Sequence, residues 1–188
     1  MTNFRDAVPS SGRLRSRGHL VTNFLESELS PTEYLGQIDG DQYAGFNLLV
    51  ADDGDLAYLS NRGGAMQTLA PGIYGVANAA LDAPWAKVVR SKTALSSLIN
   101  SGRANETNLL RILADREKAA VAEVDTSHLT FRKAHAMTAP FIVQADYGTR
   151  CSSVLLRDTA GRVRFTEMRF DADGNATGRS DFSFECRA

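Results

Sequence analysis

Tyr43-Ala44-Gly45-Phe46-Asn47-Leu48-Leu49-Val50, then Ala51-Asp52-Asp53-Gly54-Asp55, then Leu56-Ala57-Tyr58-Leu59-Ser60, is the stretch that decides the fold. Two short extended runs, 43–50 and 56–60, flank Asp52-Asp53-Gly54, residue types that suit a tight reversal, so the pattern predicts an antiparallel hairpin. Upstream, Ser30-Pro31-Thr32-Glu33 predicts a helix start, with Ser as cap, Pro in the first turn and Glu three residues after the cap. That helix is expected to stop near Asp39-Gly40. Before it, Leu20, Val21, Phe24 and Leu25 share one side at about 100° per residue, which predicts a short helix over 18–27. Residues 1–15 read as a turn-rich opening punctuated by Val8-Pro9-Ser10-Ser11-Gly12.

Downstream of the hairpin, Pro71-Gly72 leads into a third extended piece over 73–77. From Trp85 the period becomes helical, with Trp85, Val88, Val89, Leu95 and Ile99 within roughly a third of the circumference. Lys92 falls in the same arc and reads as a stem on the core edge with its ammonium in water. Ser101-Gly102 ends this helix, and Asn105 or Thr107 caps another that carries Leu109, Leu110, Ile112 and Leu113. Residues 118–137 are ambiguous between periods and are expected to contain the longest irregular stretch. The last third predicts a meander of strands over 151–157, 162–170 and 179–185, joined by turns at 158–161 and 171–175. Val163, Phe165 and Glu167 face opposite to Arg164, Thr166 and Met168, and Phe182 and Phe184 share a face. Hairpin, helices and meander in this order make an α+β chain.

The 188 residues, 43% hydrophobic and 23% charged, point to one domain over 1–188 and exclude a disordered chain or a disulfide scaffold. With 21 basic and 22 acidic residues the net charge is −1, so no basic field exists to collect nucleic acid. Apolar runs such as residues 45–51 fall far short of the ~20 residues of a membrane span. Two Cys and an opening without an apolar leader point to a reducing, cytoplasmic setting. The meander puts Cys151 and Cys186 at opposite ends of parallel-running strands, on the order of 20 Å apart, so both thiols are expected free.

Several sharper readings fail on residue type. Asp171-Ala172-Asp173-Gly174-Asn175-Ala176-Thr177 imitates a calcium loop, but Ala176 stands where that loop needs Gly and Phe182 where it needs Glu; a polar hairpin turn is expected. His19, His128 and His135 are scattered and show no zinc spacing, so no metal is expected. Cys151 reads as a packed or half-exposed thiol rather than half of a Cys–His dyad.

Three clusters remain: Ser16-Arg17-Gly18-His19-Leu20-Val21; the hairpin stretch with Ser60-Asn61-Arg62 and Gly72-Ile73-Tyr74-Gly75-Val76-Ala77-Asn78 through Trp85; and Asp146-Tyr147-Gly148-Thr149-Arg150-Cys151-Ser152-Ser153. In order and spacing they resemble the NRDE family, also called the transport-and-Golgi-organisation family, over nearly the whole chain. The resemblance implies an N-terminal-nucleophile-like αββα sandwich, two antiparallel sheets between helical layers. Relatives begin with a hydrophobic strand headed by Met-Cys and then Asn-Arg-Asp-Glu, whereas here Met1 joins directly to Thr2-Asn3-Phe4-Arg5-Asp6. The resemblance therefore implies an N-terminally incomplete, truncated fold without its nucleophile, through a late gene start, a deliberate cut or a naturally short protein. The gap left in the sheet is expected to be filled by a neighbouring chain through self-association, by rearranged residues 1–15, or by ligand.

Under that resemblance no residue is certain as catalytic. Asn78 and Arg150 are the candidates for the cleft, Asn78 by its amide at an oxyanion and Arg150 by its guanidinium on a carboxylate. The competing readings are a helix cap for Asn78 and a routine ion pair for Arg150. Asn61, Arg62, Tyr74 and Thr149 complete the candidate ligand-binding set. Thr2, exposed by removal of Met1, reads as a loop residue rather than a substitute nucleophile. Two function classes stay open: a catalytically inactive ligand-binding or trafficking protein handling haem or a lipid/acyl molecule, and a fragment of a cytoplasmic amide or acyl hydrolase. No haem attachment motif is present. Supplying a leading Met-Cys strand, in a longer chain or as a peptide, is expected to raise the melting temperature by several degrees and to protect amides in 73–78 and 150–157 from exchange. Unchanged melting and exchange would mean that the short chain is already a complete fold.

Overall fold

The computed structural model describes residues 1–5, 14–127 and 129–185. Val8-Pro9-Ser10-Ser11-Gly12, His128 and Cys186 lie outside them. The chain is α+β, with two antiparallel sheets and five α-helices among the described residues, and divides into two compact units, Met1–Ala83 and Pro84–Ala188.

The first unit carries β1 (Thr2–Asn3), α1 (His19–Leu25), α2 (Pro31–Gly36), β2 (Phe46–Ala51), β3 (Leu56–Ser60) and β4 (Gln67–Thr68), with the strands in the order β1-β2-β3-β4. The predicted hairpin is β2–β3, paired from Asn47↔Ser60 to Ala51↔Leu56. Phe46, Leu48 and Val50 alternate onto one face with Ala57, where Leu20 of α1 and Tyr34 and Leu35 of α2 complete the buried cluster. The Tyr34 hydroxyl donates to the Leu20 carbonyl at 2.8 Å, which ties α2 to α1. α2 begins at the predicted capping box: Ser30 accepts from the Glu33 N–H and Glu33 accepts from the Ser30 N–H.

Two segments depart from what their residue types predict. Residues 73–77 form no strand; the strand that follows the hairpin and pairs with β3 is β4, Gln67–Thr68. The bonding of 73–82 goes instead to side chains and to the loop's own neck. Thr2–Asn3 form a strand rather than a loop, because they pair with Asn47 and Phe46 of β2.

The second unit holds α3 (Ala86–Asn100), α4 (Glu106–Leu113), α5 (Phe131–Ala136), β5 (Cys151–Arg157), β6 (Arg162–Phe170) and β7 (Ala176–Glu185). Gly102, at φ 66°, turns the chain out of α3, and the Asn105 side chain caps α4 by accepting from the Asn108 N–H. The predicted meander is the β5-β6-β7 sheet, with a register irregularity at Arg169/Phe170 that lets β7 begin earlier than its alternation suggests. One face carries buried Ser152, Val154 and Thr166 and meets α4, to which Arg164 is paired through Glu106 at 3.0 Å. On the other face Leu155, Phe182 and Phe184 are 61%, 59% and 52% exposed. Cys151 is free and exposed, level with Gly178 across the sheet.

The hairpin turns share one device. Asp52 accepts from the N–H groups of Gly54 and Asp55, Asp158 from Ala160 and Arg162, and Asp171 from Asp173 and Asn175. The Asp171 carboxylate is thus engaged by its own turn. These backbone bonds, led by those from Asp55 and Asn175, hold the Asp52 and Asp171 carboxyls below the usual range. Their pKa values are lower folded than unfolded, so this stabilisation is complete above the unfolded value and lost as pH falls through the folded one. Thermal melts should be nearly flat from neutral pH down to about pH 5 and should fall steeply below about pH 4. The Asp52→Asn/Asp171→Asn pair should flatten that acid limb.

Candidate functional site

The loop over residues 73–82 is closed at its neck. The Gly75 N–H donates to the Asp82 carboxylate at 2.7 Å, and the Asp82 N–H returns to the Gly75 carbonyl at 2.8 Å. Asp82 sits at φ 57°, a left-handed conformation that its short polar side chain tolerates. The loop is held to the sheet by Asn47 and Tyr58, which are 1% and 2% exposed. Asn47 Nδ2 donates to the Ala79 carbonyl at 2.9 Å and to Thr2 Oγ1 at 3.2 Å, while its Oδ1 accepts from the Tyr58 hydroxyl at 2.7 Å. The Tyr58 oxygen in turn accepts from the Leu81 N–H at 3.1 Å. Thr2 Oγ1 donates to the Ala77 carbonyl at 2.6 Å.

Asn78 rides on this pinned loop, half-buried. Its Nδ2 donates to the Asn3 carbonyl at 2.9 Å, and its carbonyl accepts from the Arg5 N–H at 2.6 Å. It does not cap the following helix, whose N-cap position is Trp85. Tyr74, on the same loop, donates its hydroxyl to the Ala70 carbonyl at 2.8 Å and lies against Gly72, where a Cβ would meet the ring at 3.2 Å.

Asn61 and Arg62 follow β3. Asn61 Oδ1 accepts from the Phe46 N–H at 2.8 Å, and its Nδ2 donates to the carbonyls of Gly40 at 2.9 Å and Tyr43 at 3.2 Å. A Cβ on Gly40 would come within 2.8 Å of the Asn61 Cβ, so the close approach requires glycine there. The amide is a cross-brace for residues 40–46. Arg62 folds back, its guanidinium donating to the Asn61 carbonyl at 3.1 Å.

In the second unit, Thr149 closes a loop on Ile142: its N–H donates to the Ile142 carbonyl and its Oγ1 accepts from the Ile142 N–H, both at 2.9 Å. Lys133, 2.7 Å from Asp146 on that loop, keeps the Asp146 carboxyl below its ordinary range. Arg150 comes next, immediately before β5. Its carbonyl accepts from the Phe170 N–H at 2.9 Å, which extends the β5–β6 ladder, and its exposed guanidinium has no hydrogen-bond or ion-pair partner among the described residues. The ion-pair reading of Arg150 therefore finds no support.

Asn78 and Tyr74 thus share one pinned loop, Asn61 braces another with Arg62 folded against it, and Thr149 and Arg150 belong to the second unit. His135 is engaged by the Ala119 carbonyl at 3.1 Å and stacks on Phe131. Among the described residues no group of three His, Cys, Asp or Glu side chains comes together as a metal would require. The sequence reading missed Asn47 and Tyr58 as organisers of the loop. The available signal was a carboxamide within the apolar run Phe46-Asn47-Leu48-Leu49-Val50, since a buried polar group demands partners.

Among known proteins, the family model described as Transport and Golgi organisation 2 matches residues 1–172. The Transport and Golgi organization protein 2 homolog of Bos taurus is 36% identical over 174 residues, 81% of this chain and 61% of its own length. The Mus musculus and Homo sapiens homologs are each 32% identical, with the same shares covered. The chain spans about three fifths of the length of these curated relatives.

The pinning of the 73–82 loop makes a direct demand on stability. Tyr58→Phe keeps the ring but leaves the Asn47 Oδ1 and the Leu81 N–H short of a partner in a buried site. The expected loss is about 1–3 kcal/mol in urea unfolding. A neutral substitution would mean that the junction does not hold the loop.

Proposed function

The chain belongs to the Transport and Golgi organisation 2 family, and from that premise we propose that it serves the family's transport role by binding a small apolar molecule that carries a carboxylate, a class that includes haem as cargo and lipid or acyl species. The observation that carries this reading is Arg150, an exposed guanidinium without a partner among the described residues, set between a latched Thr149 and the β5–β6 ladder. Such a group meets a carboxylate at little cost in rearrangement. Within the first unit by itself, Asn78 and Tyr74, on a loop pinned by buried hydrogen bonds, are the proposed polar contacts for a ligand. Thr149 supports Arg150 by fixing the backbone before it, and Asn61 shapes backbone within the first unit. With His135 engaged by Ala119, haem is proposed to bind through its propionates rather than through this imidazole as an iron ligand.

The architecture proposed for this function is the N-terminal-nucleophile-like sandwich, as a single family domain. Two observations support it: both sheets are antiparallel with helices, and the β5-β6-β7 sheet leaves Leu155, Phe182 and Phe184 open, an apolar face of the kind a stacked sheet or a second copy covers. No helix among the described residues is long and apolar enough to cross a membrane, and a cytoplasmic location is part of the proposal.

Haem titration followed by absorbance, beside a panel of acyl-amide substrates, tests the reading. Saturable binding without turnover is expected, weakened several-fold in Arg150→Ala and retained in Arg150→Lys. Turnover of an acyl-amide by the purified chain, or binding indifferent to Arg150→Ala, would overturn it.

A further inference from the structure

The facing surfaces of α3 and α4 do not close on each other. Val89, Ala94 and Leu98 of α3 and Ile112 of α4 line an open trough of about 750 Å³, within the roughly 300–1,000 Å³ of small-molecule sites. Its two ends differ in charge. At one end Arg90 donates to Asp115 Oδ2 at 3.1 Å and also to the Glu117 carbonyl, and the Glu117 carboxylate lies 4.0 Å away, so its charge is matched. The other end, toward the turn between the helices, carries Arg103 and Arg111. Arg103 Nε donates to Ser101 Oγ at 3.1 Å and Arg111 Nη1 to Asn108 Oδ1 at 2.9 Å. Neither guanidinium has a carboxylate partner among the described residues. Asn108 Nδ2 donates to the Arg103 carbonyl at 2.9 Å, so one amide ties the turn bearing Arg103 to the Arg111 side chain.

An apolar floor, a neutralised pair at one end and two uncompensated guanidiniums at the other select for a ligand of matching polarity. We propose that this trough is a second ligand site, which takes a small amphiphilic anion. The apolar body lies along Val89, Ala94, Leu98 and Ile112, and the sulfonate, phosphate or carboxylate end is met by Arg103 and Arg111 through charge-assisted hydrogen bonds. The Arg90–Asp115 pair closes the far end and disfavours a second anionic group there. The site goes beyond the Arg150 reading and stands or falls separately from it.

Two dyes with nearly the same aromatic body test it on the full chain: 8-anilinonaphthalene-1-sulfonate and its uncharged relative N-phenyl-1-naphthylamine. Fluorescence titration should give a saturable site for the sulfonate that is weakened by high salt and retained in R150A. R103Q/R111Q should weaken the sulfonate roughly tenfold, as expected for lost hydrogen bonds to charged groups, and should leave the neutral dye within about twofold. A94W, which fills the trough, should block both dyes, and F182S/F184S should change neither. The proposal is overturned if R103Q/R111Q leaves sulfonate affinity unchanged, if a folded A94W still binds, or if F182S/F184S abolishes binding, which would put the dye on the open sheet face. Absence of any saturable dye site also overturns it, and would leave the trough to a helical partner. Should A94W fail to fold, the contrast between the two dyes in R103Q/R111Q decides alone.

Discussion

A carboxamide sealed inside a β-sheet is the constraint on which the first unit depends. Asn47 is almost wholly withdrawn from water, and its flanking residues Phe46 and Leu48 point into the apolar cluster under α1 and α2. Alternation sends Asn47 to the opposite face, where nothing apolar can satisfy it. A buried amide short of its partners costs about 1–3 kcal/mol per missing bond, so the chain brings partners to it. Tyr58 comes from the neighbouring strand, Thr2 from the edge strand and the Ala79 carbonyl from a distant loop. One strand therefore reads as core on one face and as a latch on the other. The latch, not a β-ladder, fixes the loop that carries Asn78.

This explains which parts of the fold were legible in the sequence. The β2–β3 hairpin, the Ser30–Glu33 capping box, the Asn105 cap and the three-stranded meander are set by residues only a few positions apart, and each appears where local chemistry puts it. The Asp-based turns are legible for the same reason. Residues 73–77 look extended because their residue types suit a strand, yet their neighbourhood is organised by Asn47, Tyr58 and Asp82 from elsewhere in the chain. Thr2–Asn3 look like a loop for the converse reason, since their pairing comes from Asn47 and Phe46, more than forty positions away. Local patterns rank backbone preferences; they do not reveal a distant side chain that outbids a ladder.

The helices show a second limit. Periodicity marks a stripe of apolar residues without saying what covers it. On α2 the stripe is covered, with Tyr34 and Leu35 buried, and on α1 Leu20 is buried while Leu25 stays exposed. On α3 only Val88 is buried and on α4 no residue is, although both carry the same kind of stripe. The difference lies in neighbours: β2 and β3 supply a flat apolar face for α2, whereas α3 and α4 meet each other across residues as unlike as Ala94 and Arg111. A stripe that is half core and half wall of an open trough has the same sequence signature as one that is wholly core.

Among the candidate polar residues, folding and recognition compete for the same donors and acceptors. Asn61 spends both ends of its amide on backbone, Thr149 spends its hydroxyl on Ile142, and the Tyr74 hydroxyl is engaged by Ala70. Each reads in the sequence as a polar group at a strand end, and nothing local distinguishes a brace from a ligand contact. Arg150 differs because its backbone alone is committed. Thr149 before it is latched, its own carbonyl is held by Phe170, and Cys151 after it is already in the sheet. The chain on both sides of the guanidinium is thus fixed while the guanidinium itself is not. That combination lowers the ordering cost of binding, because only side-chain freedom remains to be lost. By this reasoning, the residues spent on the scaffold are what make the unspent one useful.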